Sequence, residues 1–301
     1  MLSLVLSLAL LFSAAPMDWH APKPLGLDVV GIDQRAHEAV CTAGAPVAKV
    51  RMERWIFGTT ADQVAALVAD CNLTTVVIHA GLTGYDWRAM RDEWHAGGWG
   101  DLVNSHPDVA WYVEIGNEPE FTDLSPWAAR EALLETYKML ALGAGGDGAW
   151  RDVYPGLRWM ASVPLTPAYY NAFMHYQPNN DRGWIAYGTV PDYYDAIGLH
   201  VYGHYHVTDE YLWVIYNDAI RRPNVRSCAI TEAGINGIPP ADGMREVAGM
   251  ARWTPCFAVF AFAYFPGACD WGGPAAANYH LCDRSSWDAM RAYNAANGIV
   301  R

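Results

Sequence analysis

Two glutamates occupy positions suited to acid–base and nucleophilic chemistry. The string Tyr112-Val113-Glu114-Ile115-Gly116-Asn117-Glu118-Pro119 brings an apolar run to a carboxylate, and so does Ala229-Ile230-Thr231-Glu232-Ala233-Gly234. Desolvating a carboxylate beside a buried strand is costly, so each needs a reason to be there. If the two runs are the fourth and seventh strands of a closed barrel, Glu118 and Glu232 face each other across its mouth. Such a pair can protonate a leaving oxygen with one group and attack an anomeric carbon with the other. Mutual repulsion would keep one of the two protonated near neutral pH. Three further runs end in polar residues: Val50-Arg51-Met52, Ile78-His79 and Gly198-Leu199-His200-Val201-Tyr202. Strand alternation puts His200 and Tyr202 on one side, where the phenol can orient a neighbouring carboxylate.

The elements that must position these groups are legible as alternating patterns. Candidate strands are Leu27–Ile32, Val47–Met52, Thr74–Ala80, Ala110–Gly116, Arg158–Val163, Ala196–His200, Cys228–Thr231 and Phe257–Tyr264. Most are continuous apolar runs, as expected of a parallel sheet covered on both faces. Between them lie helical stretches. Thr60–Cys71 opens on a Thr cap, with Val64, Leu67 and Val68 on one face. Pro126–Leu142 has Pro in its first turn. Asp209–Arg221, Ala241–Trp253 and Ser285–Ala296 complete the series. Eight strands alternating with helices predict a single (β/α)8 TIM barrel spanning residues 16–301, with a doubly wound open sheet as the alternative. Its active residues belong at the C-terminal strand ends, which is where the polar groups fall.

The 301 residues carry 20 Lys+Arg against 32 Asp+Glu, a formal charge of −12. Without a basic cluster, nucleic acid is not expected as a partner. Apolar residues make up 52% and charged residues 17%, which excludes a disordered chain. Leu2 to Ala15 is apolar but shorter than a membrane span of about 20 residues. It ends Ser13-Ala14-Ala15-Pro16, which suits a cleaved leader over residues 1–15 and a secreted or periplasmic protein, although no basic residue precedes the run. An N-terminal helix packed on the domain is the alternative. No later stretch predicts membrane insertion. Six cysteines without a C-x-x-C pair argue against a zinc ribbon and permit up to three disulfides or buried thiols. Cys228 and Cys256 begin neighbouring strands, and Cys269 and Cys282 can close a C-terminal loop.

At these residues the chain resembles the retaining glycoside hydrolases of clan A, with family 5 and family 39-like polysaccharide hydrolases the nearest patterns. Asn117-Glu118-Pro119 resembles the clan's Asn-Glu signature, His200-x-Tyr202 its His-x-Tyr pattern, and Glu232 its strand-seven nucleophile. Arg51 and His79 stand where family 5 carries an Arg and a His. The resemblance implies that Glu118 is the general acid/base and Glu232 the nucleophile. It implies that Asn117 binds the sugar 2-hydroxyl, that Tyr202 orients Glu232, and that His200, His79 and Arg51 shape the subsite. It implies a carbohydrate substrate and no cofactor. One departure concerns the Trp that many members place after strand eight. Here that strand ends Phe262-Ala263-Tyr264, and Trp271 lies farther along as the candidate sugar platform.

Other residues carry plainer expectations. Glu114 shares parity with Glu118 and reads as a buried partner of an arginine, Arg51 for choice, because buried charges need partners. His200, His204 and His206 alternate, but they lack matching carboxylate spacing, so no metal site is expected. Trp111, Trp159, Trp213, Trp253 and Trp287 fall within strands or helices and read as core. Trp55, Trp87, Trp184 and Trp271 fall in loop regions at the active end, as candidates for stacking on sugars. A retaining, endo-acting β-glycosidase is the leading expectation. A transglycosylase, a non-catalytic carbohydrate-binding barrel and a metal-dependent hydrolase are its rivals.

Overall fold

The computed structural model describes residues 21–53, 58–81, 84–175, 189–203, 210–222, 225–234, 240–264 and 284–300. The proposed leader, Trp55, Trp184, Trp271, His204, His206, Cys269 and Cys282 lie outside them. Eight parallel strands form one closed barrel in chain order. They are β1 Leu25–Val29, β2 Val47–Arg51, β3 Thr75–Ala80, β4 Ala110–Ile115, β5 Leu157–Val163, β6 Ala196–Tyr202, β7 Cys228–Gly234 and β8 Val259–Tyr264. Helices run between the strands, and β1 pairs with β8 to complete the ring. The (β/α)8 expectation therefore holds, and an open sheet is excluded.

Local chemistry accounts for the element boundaries. Helix Ala61–Cys71 is entered through a capping box between Thr60 and Gln63, and it stops at Asn72 with φ 54° in the left-handed region. Ser125 caps helix Pro126–Leu140, whose Pro at the first position lacks only an N–H that would be unpaired anyway. Strand β1 begins two residues earlier than its apolar run suggests. The final helix, Arg284–Ala296, sets this start: the Asn294 side chain accepts from the Leu25 N–H at 3.1 Å and donates to the Leu25 carbonyl at 3.0 Å. Asp28 lies inside the strand on either reading, and it stands in register with Lys49.

Tyr112, Met160, Ala229 and Phe260 are among the residues that fill the barrel in its apolar part. Trp94, Trp99, Trp111 and Trp159 are buried outside it, under the helices. Trp287 is buried as expected, but Trp213 and Trp253 are 42% and 54% exposed, so they are surface residues rather than core. Disulfides join Cys41 to Cys71, linking the helices Gln34–Ala43 and Ala61–Cys71, and Cys228 to Cys256, linking the start of β7 to the approach to β8.

Candidate active site

The site is built on a buried charged layer. Asp28 on β1, Lys49 on β2, Glu114 on β4 and Thr231 on β7 are all fully buried. The Lys49 Nζ lies 3.0 Å from Glu114 Oε2, 2.9 Å from Glu232 Oε1 and 3.5 Å from Asp28 Oδ2. Thr231 Oγ1 donates to Glu114 Oε1 at 2.6 Å. Gly198 on β6 makes room for this carboxylate, since a Cβ there would stand 2.1 Å from Glu114 Oε1. Glu114 is thus a buried partner of Lys49 and Thr231, and the expected arginine partner is replaced by a lysine.

A bulge aims the strand-seven carboxylate. Leu199 pairs with Ile230, but His200 pairs with Glu232, which leaves Thr231 as the extra residue. Strict alternation would send one of Thr231 and Glu232 outward. The bulge lets both face inward, Thr231 onto Glu114 and Glu232 onto Lys49 and Arg51.

Above this layer the sequence-chosen residues converge. Arg51 donates through one nitrogen to Glu232 Oε1 and to Asp28 Oδ2, each at 2.6 Å. The Tyr202 hydroxyl donates to Glu232 Oε2. The ring of Phe262 stands edge-on to Tyr202, with centroids 5.7 Å apart. His200 Nδ1 lies 3.4 Å from Glu118 Oε1 and 3.5 Å from Glu232 Oε2. Atoms of Glu118, His200 and Glu232 all fall within 4.8 Å of one another. The Glu118 side chain is 26% exposed and that of Glu232 3%, so a solute entering the mouth meets Glu118 first.

The charges are strongly coupled. Burial alone would raise the Glu232 carboxyl, but His200, Lys49 and Arg51 hold it well below the usual range, helped by the Tyr202 hydroxyl. Burial opposes ionisation of Glu114 as well, and the Lys49 charge overcomes it, so Glu114 is also pushed down. His200 is driven the other way. Burial disfavours its cation, yet the Glu232 carboxylate, with Glu114 and Glu118 beside the ring, pushes it up to about 9. His79 is held neutral by burial, with Arg51 and Lys49 adding to the effect. Burial and the facing Glu232 carboxylate keep the Tyr202 phenol protonated.

Several expected binding groups carry buried polar atoms without a protein hydrogen bond. Both ring nitrogens of His79 and of His200 are buried without a hydrogen bond, and so is the Asn117 Oδ1. Trp87 stands at the start of helix Trp87–Ala96, with Arg88 stacked at 4.4 Å and Arg91 at 5.5 Å from its ring. Sequence reasoning missed Lys49 and Asp28. It also missed Glu53, which is buried just past β2 and accepts from the Gly81 N–H at 2.8 Å, tying the mouth of β3. Glu118, His200 and Glu232 are close enough together to surround a metal ion, but Glu232 Oε2, the oxygen facing His200, already accepts from the Tyr202 hydroxyl, and Lys49 and Arg51 hold Oε1.

No protein family matches the sequence, and neither does any curated protein. The barrel is similar to two solved structures of glycoside hydrolases. One is a modular endo-β-1,4-mannanase of family 26 from Cellulomonas fimi, at 13% identity and a TM-score of 0.51, covering 91% of this chain and 70% of that one. The other is a family 30 subfamily 8 xylanase from Clostridium acetobutylicum, at 14% identity and a TM-score of 0.50, covering 90% and 71%. At such identity the likeness is one of fold: this chain has the barrel architecture of those clan A hydrolases.

Proposed function

We propose that this protein is a retaining β-glycosidase that hydrolyses a polysaccharide or oligosaccharide by double displacement. One observation carries the reading. Glu118 and Glu232, from the ends of β4 and β7, bring carboxylate oxygens within 4.8 Å of each other at the barrel mouth. Retaining enzymes hold their carboxyl groups about 5–5.5 Å apart, whereas inverting enzymes need about 6.5–9.5 Å to admit a water.

The electrostatics suit a division of labour. Glu232 is ionised, buried and held by two cations through Oε1, which leaves Oε2 as the attacking atom. Oε2 forms a bond to the anomeric carbon while Glu118 gives its proton to the departing glycosidic oxygen. Glu118 then takes a proton from water, and that water displaces Oε2 and returns Glu232 to its carboxylate. Lys49 and Arg51 stay on Oε1 throughout, ready for the charge that returns at the second step. In this reading Asn117, next to Glu118, binds a sugar hydroxyl, a contact that strengthens as the anomeric carbon becomes cationic. The chemistry asks for no cofactor. The solved neighbours named for mannan and xylan cleavage make β-1,4-linked backbones the first substrates to try, with endo action the form we favour. Residues 1–15 fit a leader that would deliver the enzyme outside the cytoplasm, where such polymers are met. No described helix is long and apolar enough to cross a membrane.

The test is reducing-sugar release from β-mannans, xylans, β-glucans and galactans by wild type and by Glu232→Ala. Release by wild type alone, with the anomeric configuration retained in the first product, is expected. Inverted product would remove Glu232 from the nucleophile role. Binding without release would point to a carbohydrate-binding barrel, and transfer to an added acceptor in preference to water would point to a transglycosylase.

A further inference from the structure

Lys49 is a poor fit to an ordinary barrel interior. A lysine with no solvent contact is expensive, and the interior of a parallel barrel is normally filled by branched apolar side chains. Here the ammonium sits among carboxylates from three other strands: Asp28 of β1, Glu114 of β4 and Glu232 of β7. The remaining charged or titratable neighbours are Arg51 on its own strand, His79 on β3 and His200 on β6. His79 is neutral, so the cations available are Lys49, Arg51 and His200. Arg51 serves Asp28 and Glu232 through one nitrogen and makes no contact within ion-pair distance of Glu114. His200 approaches Glu114 only to 3.8 Å. Lys49 is therefore the sole cation among the described residues within 3.5 Å of both Glu114 and Glu232.

We propose that Lys49 is a positioning residue for the carboxylate chemistry: it supplies the charge that lets Glu114 and Glu232 be ionised together, and it clamps Oε1 of Glu232. Glu114 in turn fixes Lys49 from below, with Thr231 and the space over Gly198 holding Glu114 in place. The bulge residue thus does two things, turning Glu232 inward and anchoring the carboxylate that holds its counter-ion. Lys49 does not itself meet a substrate, since it has no exposed surface. Its influence runs through Glu232, and the kinetic part of the proposal rests on the glycosidase reading above.

The experiment separates the two ideas. Protein labelled with 13C at the glutamate side-chain carboxyl is titrated by NMR, with the Glu232 resonance identified from Glu232→Gln. This needs no sugar, so it judges Lys49 whether or not the chain is a glycosidase. In wild type and in Lys49→Arg, Glu232 is expected to remain ionised across the acid range in which the protein is folded. In Lys49→Met it is expected to titrate within that range. In Lys49→Met/Glu114→Gln, which removes an anion along with the cation, most of the displacement is expected to disappear. Should Lys49→Met not fold, the double variant carries the test, with titration close to wild type expected. Superimposed curves for wild type and Lys49→Met, or a double variant displaced as far as the single one, would overturn the proposal. On a glycan that wild type cleaves, Lys49→Met should lower kcat at about pH 5 by about tenfold for each unit by which Glu232 rises above that pH, with KM changed less.

Discussion

The His200 imidazole is the group whose environment makes the largest readable demand on the protein. It lies between Glu118 and Glu232, with Glu114 beneath, and is pushed from 6.5 to about 9. A folded-state value above the unfolded one means that the native protein holds a proton the unfolded chain has released. The stabilisation is fully present below about pH 6.5 and is lost as pH rises through about 9. The difference of about 2.5 units corresponds to about 3 kcal/mol, gained at about 1.4 kcal/mol per pH unit across that window. His200→Gln keeps a hydrogen-bond donor but cannot titrate. Urea unfolding of both proteins from about pH 6 to 10 gives the difference directly, because tyrosines and lysines elsewhere titrate in both and cancel. Wild type should lose about 3 kcal/mol more than His200→Gln over the window, whatever the offset between the two at low pH. Parallel curves would refute the reasoning and would mean that His200 is neutral between its carboxylates.

Two further outcomes follow from the same geometry. Tyr202→Phe removes a charge-assisted hydrogen bond to Glu232 Oε2, which is worth about 1.5–3 kcal/mol; kcat on a cleaved glycan should fall about 10- to 150-fold, and an unchanged kcat would deny Tyr202 its orienting role. Gly198→Ala drives a methyl into Glu114 Oε1 and against Thr231 Oγ1, so thermal unfolding should show a loss of about 1–3 kcal/mol, and a wild-type midpoint would mean that the charged layer is looser than described.

The parts of this molecule that were readable in its sequence share a physical cause. A strand buried on both faces is apolar almost throughout, so the polar residues at its end stand out against it. Arg51, His79, Glu118, His200, Tyr202 and Glu232 were visible for that reason, and the barrel mouth brings most of them into contact. Asp28 and Lys49 obeyed the same logic but went unread. Asp28 lay inside the predicted first strand and was passed over there, while the strand's true start was out of reach because Asn294, which holds it, lies 269 positions away. Lys49 was legible in principle. A lysine amid Val47, Ala48 and Val50, two positions before Arg51 and so on the same face, demands buried counter-charges. Glu114 was recognised as a buried acid in need of a cation, and the two unmatched charges belonged to each other.

The bulge at Thr231 is a different case, because nothing in the local sequence announces it. Ala229-Ile230-Thr231-Glu232 reads as ordinary alternation, in which a residue facing the interior at position 229 puts 231 inside and 232 outside. The strand-final position of Glu232 therefore marked the right residue while its parity pointed the wrong way. Pairing with β6 resolves the conflict, and pairing is a property of two strands rather than of one. The energetic reason lies in the layer beneath. With Thr231 donating to Glu114 and Glu232 accepting from Lys49 and Arg51, the slipped register satisfies an anion and two cations that the regular register would leave uncompensated. Burying such charges unpaired costs more than the one or two ladder hydrogen bonds that a bulge disturbs. The charges of the barrel interior thereby select the backbone irregularity that presents Glu232.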